Sequence, residues 1–233
     1  VDNQKALSAT STATESASYP LPADTRAGRA GYSTNLAAYI PPPQQMEFCG
    51  EPVPLHNQVA WERLDREFTI VVYSNAQMYL WLKRMQRDFP WIENRLQTLS
   101  LPDDLKYFVV EETDLLPRVW LAKIGTTRYT GINSAPRGYS QRDYQQAVDI
   151  LLLKLKALHS RFQNWALAIA AYYCGEKQLQ EAVKKQKTND FYLLHLPLKT
   201  ETTLFRIIAI KAALSNPQRY GYNVPFSRLI KAR

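Results

Sequence analysis

Apolar positions recur at helical spacing from residue 57 onward. In "NQVAWERLDREFTIVVY" Val59, Leu64, Phe68 and Val71 fall near one face, which predicts an amphipathic helix. "NAQMYLWLKRMQRDFPWIENRLQTL" continues the pattern with Met78, Leu82, Met85 and Phe89. Pro90, which has no N–H to donate, is expected to break or restart it. "SLPDDLKYFVVEETDLLP" carries a helix start, with Ser100 as N-cap, Pro102 in the first turn, and Asp103 and Asp104 at the positive end of the dipole. Pro117 marks its expected end. "SQRDYQQAVDILLLKLKALHSRF" predicts a long helix, "NWALAIAAYYCGEKQLQEAVKKQ" a very apolar one interrupted at Gly175, and "TETTLFRIIAIKAALSN" a last one before a tail rich in Pro and Tyr.

No strand pattern competes with these helices, and no heptad persists, so the fold class is all-α: a globular helical domain rather than a coiled coil. Residues 1–43, rich in Ser, Thr, Ala and Pro, show no sustained period and read as a flexible or surface-hugging arm. Residues 44–100 then form an N-terminal helical extension, and 101–233 the main domain. Residues 118–140, with Gly125, Gly131, Pro136 and Gly138, read as a loop-rich stretch that walls a groove.

Two adjacent glutamates interrupt the pattern. At about 100° per residue, Leu105, Phe108, Val109, Glu112 and Leu116 share one stripe, so Glu112 falls on the buried face. Glu111 shares its side with Asp104 and Tyr107, a more wettable neighbourhood. A carboxyl among apolar groups has its charged form disfavoured, and its pKa is expected to rise; in that state it can donate a proton to a leaving oxygen. Glu112 is therefore the candidate acid. The alternative reading keeps Glu112 as a structural charge near the helix end, or paired with Arg118 or Arg206.

Composition narrows the function classes. The chain has 233 residues, 45% hydrophobic and 12% aromatic, enough to bury a sizeable core. No apolar run reaches the roughly 20 residues that span a bilayer, and the N-terminus lacks a signal-peptide pattern. A removed upstream segment remains a route to membrane tethering. The net charge of +8 favours an anionic partner, but the basic residues are scattered, and Lys184, Lys185 and Lys187 read as a solvated helix end, so nucleic acid is not expected.

Cys49 and Cys174 have no neighbouring ligands at metal spacing, so no metal is expected. One disulfide and two buried thiols both remain open; Cys174 reads as a small buried hydrophobe. The histidines His56, His159 and His195 stand alone, His159 on a solvated face beside Lys156 and Arg161, and no phosphate loop is present, so no cofactor is expected. Trp61, Trp81, Trp91 and Trp165 read as core tryptophans.

"LPDDLKYFVVEETDLLP", "NWALAIAAYYCGE", "TNDFYLLHLPLKTETTLFRIIAIKAALSNPQRYGY" and the upstream "FCGEPVPL" together resemble the lytic transglycosylases of the soluble-lytic-transglycosylase and goose-type lysozyme superfamily, particularly the branch resembling membrane-bound lytic transglycosylase D. The resemblance covers roughly residues 46–225. It implies a lysozyme-like helical fold, a place in the bacterial envelope outside the cytoplasm, and peptidoglycan glycan strands as partner. It also implies cleavage between N-acetylmuramic acid and N-acetylglucosamine, leaving a 1,6-anhydromuramoyl end. One glutamate then serves as acid and afterwards as base, without a second carboxylate as nucleophile. Glu112, followed by Thr113 and with Pro117 five residues on, matches that position, while Glu111 stands where the family has a small or apolar residue.

The departures concern the sugar site. Trp120, Thr126 and Gly131 match the family's groove motif, but Leu121 stands at its Gln position and the turn before Trp120 is shortened. In "AAYYCG" Tyr172 matches, whereas Tyr173 replaces the Asn expected to bond the acetamido group, a loss worth about 1 to 3 kcal/mol of affinity or a blocked subsite. Thr203 falls where the family has an aromatic. The resemblance thus makes Glu112 the catalytic candidate, with Thr113, Trp120, Thr126, Tyr172, Tyr173 and Thr203 lining the substrate site, and leaves two outcomes: a weakened enzyme, or an inactive relative that binds glycan or an envelope protein.

Overall fold

A computed structural model of the protein describes residues 39–116 and 141–225. Trp120, Thr126, Gly131, Leu121, Arg118 and the stretch 118–140 lie outside the described residues, as does the arm as far as residue 38. Helices α1 (Gln58–Tyr73), α2 (Asn75–Thr98), α3 (Leu105–Thr113), α4 (Gln141–Phe162), α5 (Trp165–Cys174), α6 (Glu176–Gln186) and α7 (Leu198–Ser215) make up most of it. Short 3₁₀ turns occupy Phe191–Leu193 and Pro217–Tyr220. The architecture is all-α, in keeping with a lysozyme-like helical domain. Among the described residues no helix is long and apolar enough to cross a membrane.

Helix α5 is apolar nearly all round, and α7 is so between Leu204 and Leu214 apart from Arg206 and Lys211; such stretches belong inside. Residues Trp165 to Ala171 of α5 are all buried, as are Leu204, Phe205, Ile207, Ile208, Ala209 and Ile210 of α7. Around them pack α1 and α3 on α7, and α4 and α6 on α5. Leu64, Phe68 and Val71 supply the buried stripe of α1, and Phe68 meets Tyr220 edge-on at 5.3 Å. Val59, assigned to that stripe from its spacing, is 52% exposed instead. It is in the first turn, where Asn57 caps the helix by accepting from the Val59 and Ala60 N–H groups, and the buried stripe begins at Ala60.

Pro90 does not break α2, which runs through it to Thr98. The carbonyl that a proline leaves without its helical partner is that of Gln86, four residues earlier, and both residues are exposed, so the cost falls on the solvent side of the helix rather than in the core. The start of α3 also differs from the sequence reading. Ser100 has φ 54° and donates its N–H to the Gln97 carbonyl, so it closes α2 rather than capping α3. The helix begins at Leu105, and at Asp104 there is no side-chain cap. It ends at Thr113, before Pro117, where Asp114 and Leu115 both turn left-handed.

A two-residue antiparallel hairpin, β1 (Glu47–Phe48) and β2 (Glu51–Pro52), is a small exception to the strand-free reading. Its turn is Cys49–Gly50, both with positive φ. The hairpin ties three helices together. The Cys49 N–H donates to Asp104 Oδ2 at 2.7 Å, the carboxylate that the sequence assigned to the helix dipole. Lys211 of α7 donates to the Glu47 carbonyl and to Asp104 Oδ2, each at 2.7 Å. Glu51 accepts from the Trp165 N–H at 2.8 Å and from Asn164 Nδ2 at 3.0 Å, where an anion satisfies the open end of α5. The segment "FCGEPVPL" is thus a staple that fixes α3, α5 and α7 relative to one another.

Candidate active site

Glu112 sits in the last turn of α3 and is 5% exposed. The helix is pinned by Leu105, Phe108 and Val109, all fully buried on the stripe that the sequence predicts. Beyond Glu112 the chain is anchored from α2. Asp114 Oδ1 accepts from Trp81 Nε1 at 3.2 Å and Gln77 Nε2 at 3.3 Å, and its carbonyl accepts from Arg84 at 2.8 Å. Arg87 donates to the Leu115 carbonyl at 2.9 Å while holding fully buried Asp88 through two bonds of 2.8 and 2.7 Å. Fixed from both ends, this short helix holds a carboxyl in one place.

The adjacent tyrosines of α5 meet that carboxyl. Tyr173 donates its hydroxyl to Glu112 Oε1 at 2.5 Å, and Tyr172 donates to Oε2 at 3.1 Å. The Phe108 ring, one turn before Glu112, packs edge-on against both, with centroids 5.2 Å from Tyr172 and 6.3 Å from Tyr173, and the two phenol rings are themselves perpendicular at 5.1 Å. The Tyr173 phenol is pushed well above its ordinary range by burial first, then by the Glu112 charge and the hydrogen bond to it. It is therefore a neutral donor throughout the physiological range. The Lys154 ammonium lies 4.9 Å above the Tyr172 ring, a cation on the rim of the cluster.

Glu111 takes a different partner. Its Oε2 accepts from Arg206 Nε at 2.8 Å, and Arg206 also lies 3.9 Å from buried Glu67. The wettable side expected for Glu111 is in fact an ion-paired seam against α7. Tyr107, assigned to that side, is buried and shares a 3.0 Å hydrogen bond with Ser215.

Of the residues named from sequence, the structure brings Glu112, Tyr172 and Tyr173 together. Thr113 is fully buried: its hydroxyl donates to the Val109 carbonyl at 2.7 Å and accepts from the Leu115 N–H at 3.0 Å, so it shapes the stop of α3. Thr203 is buried in α7 and back-bonds to the Lys199 carbonyl at 2.5 Å. Cys49 and Cys174 are both free thiols, and Cys174 is half-buried rather than a core residue. His159 is half-buried and stacks on Trp165 at 3.8 Å, contrary to the solvated face assigned to it. Trp81 and Trp165 are core residues as their spacing predicts, while Trp61 and Trp91 are half-buried. Among the described residues no cluster of three or more His, Cys, Asp or Glu could hold a metal ion.

Sequence reasoning missed that Tyr173 is a partner of the carboxyl, because phenol and glutamate are 61 positions apart. It also missed the Trp81, Arg84 and Arg87 anchor, for which no local pattern exists.

No family model matches the chain. It is 26% identical over 149 residues to the membrane-bound lytic murein transglycosylase D of Escherichia coli strain K12, and equally to that of E. coli O6:H1. The match takes in 58% of this chain and 33% of each relative, so the chain spans about a third of the length of the curated relatives it matches. The similarity supports a lytic-transglycosylase-like relationship.

Proposed function

We propose that this chain is a peptidoglycan-directed, lytic-transglycosylase-like protein of the bacterial envelope that acts outside the cytoplasm. In this reading Glu112 is the sole acid/base on the strand of N-acetylmuramic acid and N-acetylglucosamine. The observation that carries it is a buried carboxyl at the end of a short helix anchored at both ends, in a chain similar to lytic murein transglycosylase D. The protonated Glu112 gives its proton to the glycosidic oxygen as the bond to C1 breaks. It then takes the proton of the C6 hydroxyl as that oxygen closes on C1, so water is not consumed and the carboxyl ends as it began. Tyr172, Tyr173, Trp120 and Thr126 belong to the proposed sugar site, while Thr113 and Thr203, buried and bonded to the backbone of their own helices, support it without touching sugar.

A second reading makes the protein a glycan-binding or partner-binding scaffold without catalysis. The observation favouring it is that a phenol occupies each oxygen of Glu112, the closer one on a residue that departs from the resembled pattern. Digestion of purified peptidoglycan, with products examined for anhydromuramoyl ends beside a Glu112→Gln variant, separates the two. Products that vanish in the variant support the enzyme. Absence of product together with protein that sediments with sacculi supports the scaffold.

A further inference from the structure

We propose that Tyr173 is an autoinhibitory latch on Glu112: its phenol occupies the carboxyl oxygen that a substrate oxygen must reach, and the site opens only when the phenol swings away. This rests on the reading of Glu112 as the reacting group. The Tyr173 hydroxyl is 2.5 Å from Oε1, a donor of the same kind as a sugar hydroxyl and at the distance such a ligand would take. In the first step the phenol must leave so that the protonated carboxyl can face the glycosidic oxygen, which only accepts. In the second step the C6 hydroxyl, a donor like the phenol, takes the place it left. Tyr172, on Oε2 at 3.1 Å, keeps the carboxyl in place while this happens.

The end of α5 provides the means. Tyr173 lies in the last turn of α5, which ends at Cys174. Gly175 follows at φ 88°, a conformation that L side chains rarely adopt, and a side chain built there would meet nothing within 4 Å. The backbone beside the cap therefore has space around it, while the last turn keeps its closing bond, Gly175 N–H to the Ala171 carbonyl at 2.9 Å; the half-buried Tyr173 side chain opens by rotating about its own torsions. Upstream, the same helix is held by Glu51 at its N-terminus, so the swing of the phenol leaves the helix in place.

The test compares wild type with Tyr173→Phe, Tyr173→Ala, and each of these combined with Glu112→Gln, using purified peptidoglycan and counting anhydromuramoyl ends. A latch predicts a kcat higher by about threefold in Tyr173→Phe and about tenfold or more in Tyr173→Ala, both lost with Glu112→Gln. Loss of a merely structural contact does not raise kcat. A kcat equal to or below wild type in both single variants, with product that still depends on Glu112, overturns the latch.

If no variant yields Glu112-dependent product, the cleavage reading fails, and the latch is judged by ¹³C NMR of the Tyr173 ζ-carbon. The probe is a β-1,4-linked tetrasaccharide of N-acetylglucosamine. Displacement of that resonance on saturation supports the latch. A stationary resonance in a protein that binds the probe, or no binding by either wild type or Tyr173→Ala, overturns it.

Discussion

Glu111 and Glu112 are neighbours on one turn of α3, yet the two sides of the helix treat them by different chemistry. Glu111 faces α7 and is matched to the Arg206 guanidinium, which also lies near Glu67. Glu112 faces α5 and receives the neutral hydroxyls of Tyr172 and Tyr173. A carboxylate matched to a guanidinium is committed to its charge and its place, because breaking the pair strands an ion. A phenol is the easier partner to displace, since its departure strands no cation. The first arrangement suits scaffolding, and the second suits a group that must meet a ligand.

The largest stability effect is expected where the anchor behind Glu112 holds a fully buried charge. Arg87→Leu leaves Asp88 uncompensated and should cost about 3 to 5 kcal/mol of unfolding free energy, read from urea denaturation. A loss under about 1 kcal/mol would mean that the end of α3 is not fixed from α2. On the Glu111 side, Arg206→Ala strips a half-buried pair and should cost about 1 to 3 kcal/mol, with product per folded molecule unchanged. Lost turnover at unchanged stability would put the functional carboxylate on the wrong side of the helix.

On the Glu112 side, Tyr172→Phe removes one long hydrogen bond from an uncharged donor and should cost about 0.5 to 1.5 kcal/mol, less than the ion-pair variant. The smallest effect is a pH dependence. Burial and the Glu112 charge raise the Tyr173 phenol, so its contribution to stability is fully present below the ordinary phenol value of about 10 and is lost as pH climbs from there through the raised value. Between pH 8 and pH 10.5 the wild type should lose roughly 1 kcal/mol or less beyond what Tyr173→Phe loses, measured by urea midpoints. Equal losses would mean that the phenol is not held in its neutral form.

The helices were legible because their signals are local. Periodicity located α1, α2, α4, α5 and α7, and Gly175 marked the break between α5 and α6. Glu112 was legible too, since one polar position on a stripe of Leu105, Phe108 and Val109 is visible at helical spacing. What failed was set by contacts distant in sequence. Asp104 reads as a dipole charge, but it serves Cys49 and Lys211, 55 and 107 positions away. Pro90 reads as a breaker, but its cost falls on an exposed face. Tyr173 reads as a lost sugar contact, and only the packing of α5 on α3 shows it as the partner of the carboxyl itself.

The contrast between the neighbouring carboxylates is tested most directly by assaying Glu111→Gln and Glu112→Gln side by side on purified peptidoglycan. The expected result is that anhydromuramoyl ends persist in Glu111→Gln and fall by about a hundredfold or more in Glu112→Gln, with both proteins folded. Equal product from Glu112→Gln and wild type, or loss confined to Glu111→Gln, would contradict it.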